Sequence, residues 1–167
     1  MNEKNSEKPD TLELRKLAEK LVREQSAMTL ATARESASWA APVYYVFHGA
    51  CFYFFSSPQS RHIQEALESG RASAAIHPEV STWQEIRGIQ MEGHVEAVSK
   101  NLEAVAVIGR YLKKFSFTKQ FFKQDQSFTI ETFSERFKVG LYKFTPETMY
   151  YLDNNIQFGF REVVILS

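Results

Sequence analysis

The sequence predicts a mainly β protein with peripheral α-helices, an antiparallel barrel rather than a doubly wound sheet. Three observations predict it. Short segments rich in Val, Phe, Tyr and Thr follow one another, and the helical patterns fall between them as inserts. Ile89, Met91, Val95 and Ala97 alternate with Gln90, Glu92, His94 and Glu96, the period of a strand with one buried face. At 167 residues without a repeat, the chain suits one domain that buries roughly 70% of its extended surface.

The elements follow in chain order. Residues 1–9 read as a flexible tail and 10–167 as a single domain. Asp10 with Glu13 forms a D-x-x-E capping box, and Leu14, Leu17, Ala18, Leu21 and Val22 recur at helical spacing, so a helix is expected over 11–24. Met28–Thr32 reads as a strand and Arg34–Ser38 as a polar connection. Trp39–Phe47 is a second strand, His48-Gly49 a turn, and Ala50–Ser56 a third strand. The second strand is apolar on both faces, which predicts cover on both sides. Ser57 as N-cap and Pro58 as first helical residue open a helix whose inner face is Ile63, Ala66 and Leu67, with Gly70 as its stop. Ala72–Ile76 is a short strand. Gly88 and Gly93 flank and interrupt the alternating strand, marking a bulge or a close backbone approach. A second amphipathic helix covers 101–114, and a Phe- and Lys-rich section runs to about 137. The tail returns to strands at 139–145, 149–152 and 161–166.

Composition excludes several classes. Lys plus Arg and Asp plus Glu are 20 each, so the net charge is zero and the broad basic field of a nucleic-acid binder is missing. The basic-aromatic interleaving of Arg110, Lys113 and Lys114 with Phe115, Phe117, Phe121 and Phe122 is therefore read as packing, as a wall over a ligand or as a dimer seam. The longest apolar run, the eight residues Ala40–Phe47, is far short of the roughly 20 that span a bilayer. With no targeting pattern at the start, a cytoplasmic protein is expected. One cysteine, Cys51, forms neither an internal disulfide nor a cysteine zinc site and is expected to be a buried, inert thiol. His48, His62, His77 and His94 lack metal-ligand spacing. Trp83 is expected in a core or interface, with stacking on a bound ring as the rival reading.

The most informative stretch is Phe52 to His62. A strand ends in hydroxyl residues and runs into a helix start carrying Ser60, Arg61 and His62. Free N–H groups, hydroxyls and a guanidinium fork suit a phosphate monoester. A plain capped helix with a solvated Arg explains the same residue types equally well.

Taken together, these pieces resemble the pyridoxamine-phosphate-oxidase-like family of FMN-binding split barrels. The matching segments are Met28–Ala33, Ala40–Tyr45, Phe54–Ser57, Ser60–Ile63, Arg71–Ile76 and the glycine-marked Ile86–Glu96, in family order from about residue 10 to 100. Residues 150–161 look like a small bacterial branch of it. The resemblance implies a split barrel of the FMN-binding type and a homodimer holding FMN at the subunit interface. It implies phosphate contacts from Ser60 and Arg61, with His62 standing where the family often has Lys. It places Pro42, Val43 and Tyr44 against the isoalloxazine ring, and Phe55, Ser56 and Ser57 beside the ribityl chain. Arg87 and Gly88 fall near the ring's polar edge, Arg87 as the group that would steady the reduced flavin. The family's oxidases have a Gln near Gly88 that bonds the ring and is absent there; their substrate-phosphate residues have only Arg161 as a counterpart here, which argues against true pyridoxamine-phosphate oxidase activity. The expected function is thus an FMN-dependent oxidoreductase acting on a small molecule, with NAD(P)H as a possible donor and no identifiable acid or base. The alternative is a non-catalytic flavin, haem or deazaflavin carrier or sensor. Neither nucleic acid nor membrane is an expected partner.

Overall fold

The structure, a computed structural model, describes residues 8–99, 102–121 and 129–167. Helix α1 (Thr11–Glu24) starts at the expected capping box: Glu13 N–H donates to Asp10 Oδ1 at 2.8 Å, and Asp10 N–H to Glu13 Oε2 at 3.2 Å. Seven strands follow: β1 (Ala27–Arg34), β2 (Ala37–His48), β3 (Cys51–Ser56), β4 (Ala72–Ile76), β5 (Arg87–Ala97), β6 (Gly140–Asp153) and β7 (Arg161–Val163). Helices α2 (Arg61–Ser69), α3 (Leu102–Lys114) and α4 (Ile130–Phe137) lie in the connections. The strand order is β3-β2-β1-β4-β5-β6-β7, every pairing is antiparallel, and β3 also pairs with β6. That pairing, Phe52 opposite Phe144 through Ser56 opposite Gly140, closes six strands into a barrel.

A barrel this small is filled by its own inward side chains. Met28, Leu30, Tyr45, Phe52, Phe54, Ile76, Ile89 and Phe144 are fully buried, and Leu14, Ala18, Leu21 and Val22 of α1 complete the same core. The Tyr45 hydroxyl donates to the Val22 carbonyl at 2.6 Å, so burial of this phenol leaves no orphaned donor. A second core lies outside the barrel. There Ala104, Val107, Tyr111 and Phe115, on and just after α3, cover Val46, Tyr53 and Leu141 on the outer faces of β2, β3 and β6. Lys114 Nζ, 4.1 Å from the centre of the Tyr45 ring, donates to the Gln25 carbonyl at 2.6 Å and ties α3 to the end of α1.

Several sequence expectations change. The polar connection at 34–38 shrinks to the Glu35-Ser36 turn, because the β1–β2 ladder runs on to Arg34 opposite Ala37. The two tail strands at 139–145 and 149–152 are one strand, β6. Glu92 pairs with Thr148 and Gly93 with Pro146, leaving Glu147 as an extra residue that switches which positions face inward. Phe144 and Met149, an odd number of residues apart, are therefore both buried, which disguises one strand as two. Gly93 is required opposite this bulge, since a Cβ there would lie 2.1 Å from the Thr145 carbonyl oxygen.

The second strand is not covered on both faces. Val46 lies under α3, but Ala40, Pro42 and Tyr44 are exposed on the outer face, and Trp39, opposite Thr32 on the other face, is exposed at the end of the strand. Cys51 is only half-buried, its Sγ 3.6 Å from Thr145 Oγ1. Trp83 is exposed rather than in the core and meets the Phe158 ring edge-on. Of the Phe- and Lys-rich section, 116–121 is a short 3-10 turn and 130–137 is α4; 122–128, like residues 1–7 of the expected tail, lies outside the described residues.

Candidate anion and cofactor site

The site is built where β3 hands over to α2. The helix begins later than its sequence suggests: Ser57, Pro58 and Gln59 form a turn, and Ser60 is the N-cap of a helix starting at Arg61. The turn consumes the hydroxyls that looked free. Ser60 Oγ donates to the Ser57 carbonyl at 2.7 Å, Gln59 N–H donates to Ser57 Oγ at 3.2 Å, and Ser56 Oγ lies 2.8 Å from His62 Nε2. Short hydroxyl side chains beside a tight turn find backbone partners before any ligand can compete.

Because Ser60 makes no side-chain capping bond, the first N–H groups of α2, those of Arg61 and His62, have no acceptor among the described residues. The positive end of the helix dipole is therefore open to an external anion. Helices α1 and α4, by contrast, both start with a complete capping box.

Arg61 supplies the cation. Its guanidinium lies over Trp39, 4.8 Å from the ring centre, and its Nε donates to Glu65 Oε1 at 2.6 Å. Glu65 is 2% exposed, and its other oxygen accepts from Thr32 Oγ1 at 2.6 Å. The Thr32 hydroxyl and then the Arg61 guanidinium hold this carboxyl below its usual range, against burial. His62 is buried; burial pushes its imidazole below the usual value, and nearby Glu65 only partly opposes this. The imidazole expected at the phosphate thus packs on Ser56.

The remaining predicted residues divide into two groups. Pro42 and Tyr44 face outward on β2; Val43 points into the core, so only its backbone is available to a ligand. The Tyr44 ring meets Phe115 and Phe117 at 5.2 and 5.9 Å. Phe55 is half-buried against Tyr111. These lie near the turn, as do Ser56, Ser57 and Ser60. Arg87 and Gly88 do not: they pair with Asp153 and Leu152 at one end of β6, whereas Ser56 pairs with Gly140 at the other. Along a strand of this length that is about 40 Å of chain. Gly88 is explained by packing, since a Cβ would lie 2.8 Å from the Ile76 carbonyl oxygen.

Beside the β2 strip runs a trough of about 510 Å³ on the outer face of the sheet, floored by Thr29, Ala31, Ser73 and Ala75. Pairing of Pro42 with Thr29 and Ala40 with Ala31 makes strip and trough continuous. Gln90 and Tyr150 wall it, and Arg161, with its guanidinium carbon 3.9 Å from the centre of the Tyr150 ring, closes one end. Trp39, Thr32 and Glu65 were missed by the sequence reading. Only the i,i+4 spacing of Arg61 and Glu65 signalled any of them, and such pairs usually sit on a wet surface.

Comparison with known proteins fits this architecture. A family model described as pyridoxamine 5'-phosphate oxidase matches residues 14–153. A UPF0306 protein of Klebsiella pneumoniae subsp. pneumoniae is 23% identical over 137 residues, 81% of this chain and 82% of that protein. Among solved structures, a heme binding protein from Mycobacterium smegmatis superposes with a TM-score of 0.67 at 17% identity, over 96% of this chain and 60% of that one. A FAD-binding protein from Mesorhizobium loti gives 0.59 at 15%, over 80% and 89%. The heme storage protein of Vibrio cholerae gives 0.64 at 14%, over 80% and 90%. At these identities the structures share the fold.

Proposed function

The chain belongs to the pyridoxamine 5'-phosphate oxidase family, and we propose that it binds FMN and uses it as a redox group on a small molecule. The observation that carries the reading is the uncapped start of α2, where the Arg61 guanidinium lies over Trp39 at the margin of an exposed apolar strand face. The residues fit the group: two N–H donors and a guanidinium for a phosphate, then a flat apolar surface along Ala40, Pro42 and Tyr44 for a tricyclic ring. FMN, when bound, supplies hydride chemistry at its own ring. The chain's part is to grip the phosphate, orient the ring on β2 and exclude water from it.

A second copy of the chain is the proposed means of exclusion. Tyr44 is 51% exposed and shares the outer face of β2 with exposed Ala40 and Pro42, on a strand rather than a loop, an apolar surface that a partner would cover. Arg87, remote from the cradle along its own chain, meets the flavin in this scheme only if the assembly brings it there. Haem and deazaflavin carriers remain the rival reading, since two of the similar structures are named for heme. The histidine nearest the cradle, His62, is turned onto Ser56 and is a poor axial ligand, which favours flavin. No described helix is long and apolar enough to cross a membrane.

The test is the visible spectrum of the protein as isolated and after mixing with FMN. Flavin bands that stay with the protein through gel filtration support the reading; a Soret band, or no retained chromophore, overturns it. Reduction of the bound flavin by NADH or NADPH with repeated turnover would separate an enzyme from a carrier.

A further inference from the structure

We propose that Glu65, fixed by Thr32, is the positioning residue of the anion cradle: it holds Arg61 from behind so that the free edge of the guanidinium faces the phosphate. The proposal rests on the reading of α2 as the phosphate site and assigns a role to two residues that this reading does not use.

Glu65 and Thr32 are both buried, on different elements, in positions that a core would fill with apolar side chains. Thr32 continues the inward row of Met28 and Leu30 on β1; Glu65 lies beside Ile63 and Ala66 on the buried face of α2. A carboxylate in such a place is tolerated only when its oxygens are engaged, and here each has one partner at 2.6 Å, the Thr32 hydroxyl and Arg61 Nε. An i,i+4 ion pair made only to strengthen a helix needs neither the burial nor the threonine.

The geometry has a directional consequence. Arg61 has five N–H groups in one plane; Glu65 takes the one on Nε, and Trp39 lies against a face of the guanidinium. The Nη groups, whose shared edge points away from Nε, have no acceptor among the described residues. A flexible, half-exposed side chain thereby becomes a fixed fork, with the freedom it would lose on binding already given up at folding. A competing effect runs the other way: the Glu65 charge also repels an incoming anion. Positioning and repulsion predict opposite signs for Glu65→Gln, which keeps the shape and can still bond Thr32 but weakens the grip on Nε.

The experiment uses the parent, Glu65→Gln, Arg61→Ala and the double variant, with Thr32→Val as a milder perturbation, all on a Trp83→Phe background so that Trp39 reports alone. Inorganic phosphate is titrated against Trp39 emission, FMN and riboflavin against flavin fluorescence, and urea unfolding confirms that each variant is folded. Positioning predicts that Glu65→Gln weakens phosphate and FMN about five- to tenfold and leaves riboflavin unchanged. It predicts less than a twofold effect on the Arg61→Ala background and a smaller loss in the same direction for Thr32→Val. Equal or tighter phosphate binding in Glu65→Gln overturns the proposal, as does the same loss with and without Arg61. Phosphate bound by the parent and weakened by Glu65→Gln, with no FMN bound, upholds the role of Glu65 and removes only the flavin reading. No binding of either ligand removes both.

Discussion

Replacing Arg61 by Ala tests the grip on the phosphate most directly. The side chain places a full positive charge over Trp39 at the start of α2; burial pushes the His62 imidazole below its usual value, and the nearby Arg34 is paired to Glu68 at 2.6 Å. A charge-assisted hydrogen bond is worth about 1.5–3 kcal/mol. Because the Arg61 side chain is 43% exposed, water screens part of this, and the lower half of that range applies. About 1.5–2.25 kcal/mol is roughly a 10- to 40-fold rise in the Kd for FMN. The assay is quenching of flavin fluorescence on addition of apo-protein, with riboflavin as the control that lacks the phosphate. Arg61→Ala should bring the FMN affinity towards that of riboflavin and leave riboflavin itself unchanged. Removing Arg61 also strips a buried carboxylate of one partner, so unfolding in urea is followed in parallel to keep stability apart from affinity. An FMN affinity within twofold of the parent, in a folded variant, would refute the assignment of the cradle.

Two further predictions test the surroundings. Tyr44→Arg places a charge on the exposed apolar face of β2 and should convert the proposed dimer into a monomer in sedimentation velocity while the fold survives; a variant that still dimerises would move the interface elsewhere. Lys114 governs a pH dependence. Burial lowers its amine from 10.5 to about 8, so between those values the unfolded chain binds more protons than the folded one, and stability rises with pH. The full shift is worth up to about 3 kcal/mol, cut to about 1–2 by solvent at this partly exposed group. Lys114→Met should lack that rise when urea midpoints are compared at pH 8 and pH 10.5; parallel curves for the two proteins would contradict it.

Much of the barrel is legible because its signals are local. Capping chemistry between Asp10 and Glu13 sets the start of α1, the period of two marks β5, and Gly70, with φ of 67°, ends α2 as its position suggests. Where expectations failed, a single residue of tertiary geometry intervened. One extra residue at Glu147 reversed the inward face of β6 and split the pattern. Ser57 and Pro58, good residues for a helix start, were used instead to make the turn that positions Ser60.

The amino-acid order alone thus determined the capped start of α1, the alternation of β5 and the stop of α2 at Gly70, since each depends on neighbours within a few residues. Only the tertiary structure decided the closure of β3 on β6, which joins residues about 90 apart, and with it which strand faces water. It also decided that Trp39 and Glu65, the latter held by Thr32, meet one guanidinium while Arg87 stands at the far end of the barrel. Burial and register are properties of the closed sheet, and a polar side chain acquires its partner only when another part of the chain folds against it.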